Sequence, residues 1–229
     1  MIKCMVMDGF KQILCFFICA VSLEVVAADS WQMVTNKNGI KIYQQQQPGL
    51  PFKHTKGVIT VKAKPAMVFA LLNDFAACGE WIFGCIGGER QSDDSIYLEF
   101  EGPPFFKNRE VVLFSRVDYL HESEQWVITV ENQPGKQLNK NNVLIHKMQA
   151  QWLLTSLDNN ELTIEHSFYI DPNVSIKLGA NSYNSRAIYR TLLQLPSMLK
   201  RPKYQSEKEL PEFLQELKTE PSAKFQKGI

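Results

Sequence analysis

After residue 29, apolar and polar positions alternate with a period of two through most of the chain, which predicts a β-rich body. Residues 95–101 are the cleanest case: Ile96, Leu98 and Phe100 alternate with Tyr97, Glu99 and Glu101, the pattern of a half-buried strand. Segments 110–117, 125–131, 143–155 and 162–170 repeat it, separated by loops containing Asp, Asn, Gly and Pro. Earlier, Asn38-Gly39 marks a turn before the strand at 40–43. Gly49 and Pro51 mark another before 52–63, where Ile59, Val61 and Ala63 oppose Val58, Thr60 and Lys62. Short connections between sequential strands favour an antiparallel sheet.

The period changes at both ends. Pro65 fits the first turn of a helix running to about Phe75, with Met67, Val68, Leu71 and Leu72 on one side. A longer helix is predicted over 175–199, where Ile188, Leu192, Leu195 and Leu199 form one apolar stripe and Pro196 interrupts the bonding near the end. Lys200, Arg201 and Lys203 follow, where a helix dipole favours cations. Residues 205–229 read as a polar tail in which Leu210, Phe213, Leu214 and Leu217 can form one short amphipathic helix.

The N-terminus follows different rules. Lys3 and Lys11 precede an apolar run at 13–23, and Val25-Val26-Ala27-Ala28 supplies small residues for cleavage. The run is shorter than the roughly 20 apolar residues that a spanning helix needs. Residues 1–28 are therefore read as a signal peptide, against the plainer alternative of a buried N-terminal helix. A periplasmic or secreted location follows for a single domain over 29–204.

Composition excludes more than it identifies. At 229 residues, 45% hydrophobic and 21% charged, the chain is an ordinary globular one. A formal net charge of +1 argues against a nucleic-acid binder built on a basic surface. The same balance weakens long-range attraction to anionic membranes, so membrane contact is expected to be transient. Beyond the signal only Cys78 and Cys85 remain, flanking Trp81. They form either a disulfide, which the expected compartment permits, or two buried thiols.

Catalytic signatures are sparse. The four histidines lack metal-ligand spacing, and there is no nucleophile elbow or phosphate-cradling loop. Glu99, Glu101 and Glu110 read as surface-facing strand residues rather than paired acids. No catalytic residue, metal or cofactor is expected.

Particular residues carry a family resemblance from Trp31 to Tyr204. Trp31 and Val34 before Asn38-Gly39-Ile40-Lys41-Ile42-Tyr43 resemble the first strand of START lipid-transfer domains. Residues 65–74 followed by Trp81 resemble their first helix. Pro103-Pro104-Phe105-Phe106-Lys107-Asn108-Arg109-Glu110 resembles their Pro-rich turn, and Val143, Ile145 and Trp152 a later strand. Asp171-Pro172 leading to Asn181, then Leu192 to Pro202-Lys203-Tyr204, resembles the closing helix. The resemblance implies an α+β helix-grip fold, a curved antiparallel sheet gripping a long C-terminal helix over an apolar cavity. The charged pair of zwitterion-binding members is missing, because Cys78 and Ile82 stand at its positions and Ser115 replaces a later Arg.

The resemblance also implies a function: non-catalytic binding and transfer of a lipid or other hydrophobic small molecule by a monomer. An enzyme of the same superfamily, a cyclase or hydrolase acting on an apolar substrate, is the alternative. Strand phase and the match of Ser115 to an inward position propose Ile96, Leu98, Phe100, Val111, Leu113 and Ser115 as ligand-binding residues. On later strands His146, Met148, Ala150 and Trp152 share one face, and Ile164, His166, Phe168 and Ile170 another. Ile188, Leu192 and Leu195 complete the set from the helix. Any of these residues alternatively packs the core, and His146 and His166 alternatively satisfy themselves within it. The polar loop 131–142, with Pro134 at its centre and Leu138 at its tip, resembles the family's lid and is the expected gate.

Overall fold

The structure is a computed structural model that describes residues 30–92, 95–102, 105–173 and 179–219. The expected signal at 1–28 lies outside the described residues, as do positions 175–178 of the long helix.

Among the described residues, ten strands form one sheet. They are β1 (Gln32–Lys37), β2 (Ile40–Gln45), β3 (His54–Lys62), β4 (Cys85–Arg90), β5 (Ser95–Phe100), β6 (Arg109–Leu120), β7 (Gln125–Asn132), β8 (Val143–Leu144), β9 (Lys147–Ser156) and β10 (Glu161–Asp171). Their order is β1-β2-β3-β10-β9-β7-β6-β5-β4, antiparallel throughout, with β8 added in parallel to β6. The helices are α1 (Pro65–Leu72), α2 (Cys78–Trp81), α3 (Ala180–Leu199), α4 (Pro202–Gln205) and α5 (Glu212–Thr219). The α3 helix lies across β2 and β3 and also touches α1 and α2, so the sheet curls around it. This is the expected α+β helix-grip architecture.

The apolar interior divides into two clusters. One gathers Ile40, Ile42, Ile59 and Val61 with Leu71, Trp126, Trp152, Ile188, Leu192 and Leu195. The other holds Cys78, Cys85, Ile96, Leu98, Val111, Leu113 and Ile145.

Several elements depart from the pattern reading. The β4 strand was not expected, since Gly87 and Gly88 weaken strand propensity. Gly88 is required there, because a Cβ would lie 3.0 Å from the Phe75 carbonyl oxygen and 2.7 Å from Leu98 Cδ2. The strand expected over 143–155 is broken between β8 and β9. Residues 205–229 are not wholly a polar tail, because Leu214 and Leu217 of α5 are buried in the first cluster and Leu210 and Phe213 pack against it.

Candidate functional site

A cavity of about 440 Å³ opens between the two clusters and draws its walls from both. Leu71, Leu72, Phe75, Cys78, Trp81 and Ile82 line it from the α1–α2 segment. The sheet contributes Ile96, Leu98 and Phe100, then Leu113 and Ser115, then Met148, Ala150 and Trp152, and finally His166, Phe168 and Ile170. Period-two alternation explains the sheet wall, because paired strands bring every second residue of each to the same face.

The helix wall differs from expectation. Ala180, Tyr183, Asn184, Ala187 and Thr191 face the cavity. Ile188, Leu192 and Leu195 are buried in the first cluster and do not line it. The apolar stripe is the side of α3 that packs on the sheet: a Cβ on Gly57 would lie 2.3 Å from Ile188 Cγ2 and 2.5 Å from Leu192 Cδ1. The cavity side is made of small residues at i, i+4, i+7 and i+11 (Ala180, Asn184, Ala187 and Thr191), a spacing visible in the sequence but not an apolar one. Their small size leaves the space.

Three further assignments are corrected on the strands. Val111 is buried within the second cluster rather than in the wall. His146 is exposed, because the chain bends before β9 begins at Lys147 and Ile145 takes the inward place instead. Ile164 is likewise core and not lining.

The loop expected as the gate is placed away from the cavity wall. Pro134 and Leu138 do not line the cavity, and their loop is held on the other face of the sheet. There the buried Glu110 carboxylate accepts the backbone N–H of Leu138 at 2.6 Å and of Asn139 at 3.0 Å, and the Tyr97 hydroxyl at 3.3 Å. Burial and the charges of Glu110 and Glu99 push the Tyr97 phenol up to about 12. The exposed lining residues are Glu101, Gly179 and Tyr183, which place the open rim at the start of α3. Phe83 packs on Tyr183 there with ring centroids 5.5 Å apart, and its N–H donates to Thr191 Oγ1 at 3.1 Å.

The polar groups of the wall are few. Asp74 is occupied by the Tyr204 hydroxyl at 2.6 Å and Lys203 Nζ at 2.5 Å. Burial alone raises the Asp74 carboxyl, but hydrogen bonds from Lys203 and Tyr204 outweigh it and hold the group below its usual range. Arg109 is buried and donates to the Lys107 carbonyl, with its guanidinium 5.8 Å from the Phe106 ring. His166 stacks on Trp152 at 3.7 Å, and its Nδ1 meets the Gln151 carbonyl at 3.2 Å. Burial pushes its imidazole down to about 4, so it is neutral at pH 7.

This set offers little for bond-making chemistry. Cys78 and Cys85 are joined as a disulfide, which leaves neither as a thiol nucleophile. His166 is oriented by a backbone carbonyl and not by a carboxylate. Among the described residues no group of three His, Cys, Asp or Glu is placed to hold a metal, and no helix is long and apolar enough to cross a membrane. The basic cluster after α3 is partly spent on ion pairs, Arg201 with Glu80 at 2.7 Å and Lys203 with Asp74.

A curved sheet around a long helix, with an apolar cavity between them, defines the START-like helix-grip class. Solved structures agree. A STAR-related lipid transfer protein from Xanthomonas axonopodis is 25% identical, with a TM-score of 0.68 over 76% of this chain and 100% of that one. Human STARD10 is 17% identical, with a TM-score of 0.64 over 78% of this chain and 76% of that one. Human StAR-related lipid transfer protein 5 is 14% identical, with a TM-score of 0.63 over 76% and 88%. The two human likenesses show the fold alone. An uncharacterised protein of Pseudomonas aeruginosa is 22% identical over 175 residues, 74% of this chain and 87% of that protein. No protein-family profile matches the chain. The chain has the START-like fold.

Proposed function

We propose that this protein binds one lipid or other hydrophobic small molecule in its internal cavity and carries it without altering it covalently. The observation that supports this most is the apolar cavity of about 440 Å³ facing the small side of α3. Its size lies within the ~300–1,000 Å³ range of small-molecule sites. Burial of apolar surface, at about 25 cal/mol per Å², supplies the affinity.

Entry and release take place at the rim formed by Glu101, Gly179 and Tyr183. Phe105 is fully exposed and Phe106 is 57% exposed beside the buried lining residue Arg109, so this edge suits brief contact with a membrane interface. The protein acts as a monomer outside the cytoplasm after loss of residues 1–28, a reading that rests on the sequence.

Native mass spectrometry of the purified protein, before and after incubation with mixed lipids, tests the carrier reading. A bound small molecule is expected, and Ala187→Trp, which fills the cavity from α3, is expected to abolish uptake while leaving circular dichroism unchanged. Absence of any bound molecule with no uptake overturns the reading, as does undiminished uptake by the Trp variant. N-terminal sequencing of exported protein tests the processing site.

A further inference from the structure

Within the apolar walls two polar groups point to the chemistry of the occupant. Asn184 is only 5% exposed, lines the cavity, and its side-chain nitrogen has no hydrogen-bond partner. Buried amides are nearly always bonded, and a half-turn about the last side-chain torsion lets this one present either its N–H or its C=O to the cavity. His166 is the second group. Its Nδ1 faces the Gln151 carbonyl, which can only accept, so Nδ1 carries the proton and Nε2 holds a lone pair. Stacking on Trp152 fixes the plane of the ring.

The sheet register brings the two to the same depth. His166 pairs with Gly57 of β3, and Phe168 pairs with Thr55. The α3 helix crosses this stretch, since the Asn181 carbonyl accepts Gln44 Nε2 beside Thr55 and Ile188 sits over Gly57. Asn184 lies between those two helix positions, on the side turned to the cavity.

We propose that His166 and Asn184 together hold a single alcohol hydroxyl, so that the ligand is an uncharged hydroxylated amphiphile bound with its hydroxyl inward. This rests on the carrier reading above. A hydroxyl donates to Nε2 and accepts from the amide N–H, which satisfies both groups at once. An ether or ketone oxygen leaves the Nε2 lone pair unmatched. A carboxylate meets that lone pair head-on and loses its own hydration besides. His166 is neutral and supplies no charge to an anion, and the lining cation Arg109 is directed at the Lys107 carbonyl and the Phe106 ring instead.

Calorimetric titration with 1-dodecanol, dodecyl methyl ether and dodecanoate at pH 7.5 tests this. The alcohol is expected to bind about tenfold or more tightly than the ether, the scale of one buried hydrogen bond lost with its partner left unpaired, and more tightly than the acid. In His166→Phe and Asn184→Leu the alcohol-to-ether ratio is expected to fall to about one. Equal affinities for alcohol and ether in the native protein overturn the assignment while leaving the carrier reading intact. A preference that survives both substitutions overturns it too. Failure of all three compounds to bind counts against the carrier reading itself, and against this assignment with it.

Discussion

Gly57 and Ile188 meet with no room for a β-carbon between them: one built on Gly57 would lie 2.3 Å from Ile188 Cγ2, with Leu192 Cδ1 at 2.5 Å. Ile188 is β-branched and buried, so its Cγ2 cannot swing aside. Gly57→Ala is therefore expected to push α3 off β3 and cost about 1–3 kcal/mol, as overpacking does. Urea unfolding measures this, and an unchanged midpoint would show that the helix is not seated as described. Because α3 is also the cavity wall, ligand affinity should fall with it.

Asp74 ties α1 to α4 through Tyr204 and Lys203. Its carboxyl is held below its ordinary value, so the unfolded chain takes up a proton there before the folded one does. The stability it contributes is complete above the unfolded value near 3.8 and disappears as pH falls through the lower folded value. Asp74→Asn should cost about 1 kcal/mol at pH 7, chiefly because an amide oxygen accepts the Tyr204 hydroxyl more weakly than a carboxylate does, while Lys203 is exposed and screened. The penalty should shrink in acid. A stability difference between native and variant that stays constant from pH 7 to pH 2 would rule this linkage out.

Glu110 acts as a latch for the loop that follows β7. Glu110→Ala should free the Leu138 and Asn139 amides and destabilise the protein by about 1–3 kcal/mol, since part-buried donors lose a charged acceptor. Hydrogen exchange should show these amides opening. In Glu110→Gln the Tyr97 phenol should titrate below its native value of about 12, because a neighbouring charge has gone. Unaltered protection at 138–139 would mean that the loop is fixed by something else.

The disulfide closes a short loop from α2 to β4, next to the cavity. Its reduction, or replacement by Cys78→Ser with Cys85→Ser, should lower stability by about 2–3 kcal/mol. Comparing denaturant midpoints with and without dithiothreitol checks this. Identical midpoints would show that the bridge does not form in solution.

The sheet wall was legible because β5, β9 and β10 keep strict alternation, which carries Ile96, Leu98, Met148, His166 and Phe168 to one face. The helix wall was not. A search for the apolar side of α3 finds Ile188, Leu192 and Leu195, the side that packs tightest, whereas a cavity requires the side that packs least. His146 was misplaced because a local bend before β9 breaks the phase, and alternation carries no sign of such a bend. Glu110 read as a surface acid because nothing in a strand pattern shows that a loop 28 residues later will bring backbone donors to it. The buried α5 was underweighted for a related reason, since Leu214 and Leu217 find their partners only after the sheet has curled.

The position of β10 has a consequence for assembly. It lies mid-sheet, between β3 and β9, so residues 161–171 bridge the early strands to the later ones. A nascent chain that stops before them holds a three-stranded piece and a separate meander that no strand joins. Such long-range pairings pay their loop-closure entropy late and slow the search for the native state. The sheet of the container is thus joined only at residues 161–171, with the α3 wall following it, and any truncation upstream of that strand leaves a chain with nowhere to put a cargo.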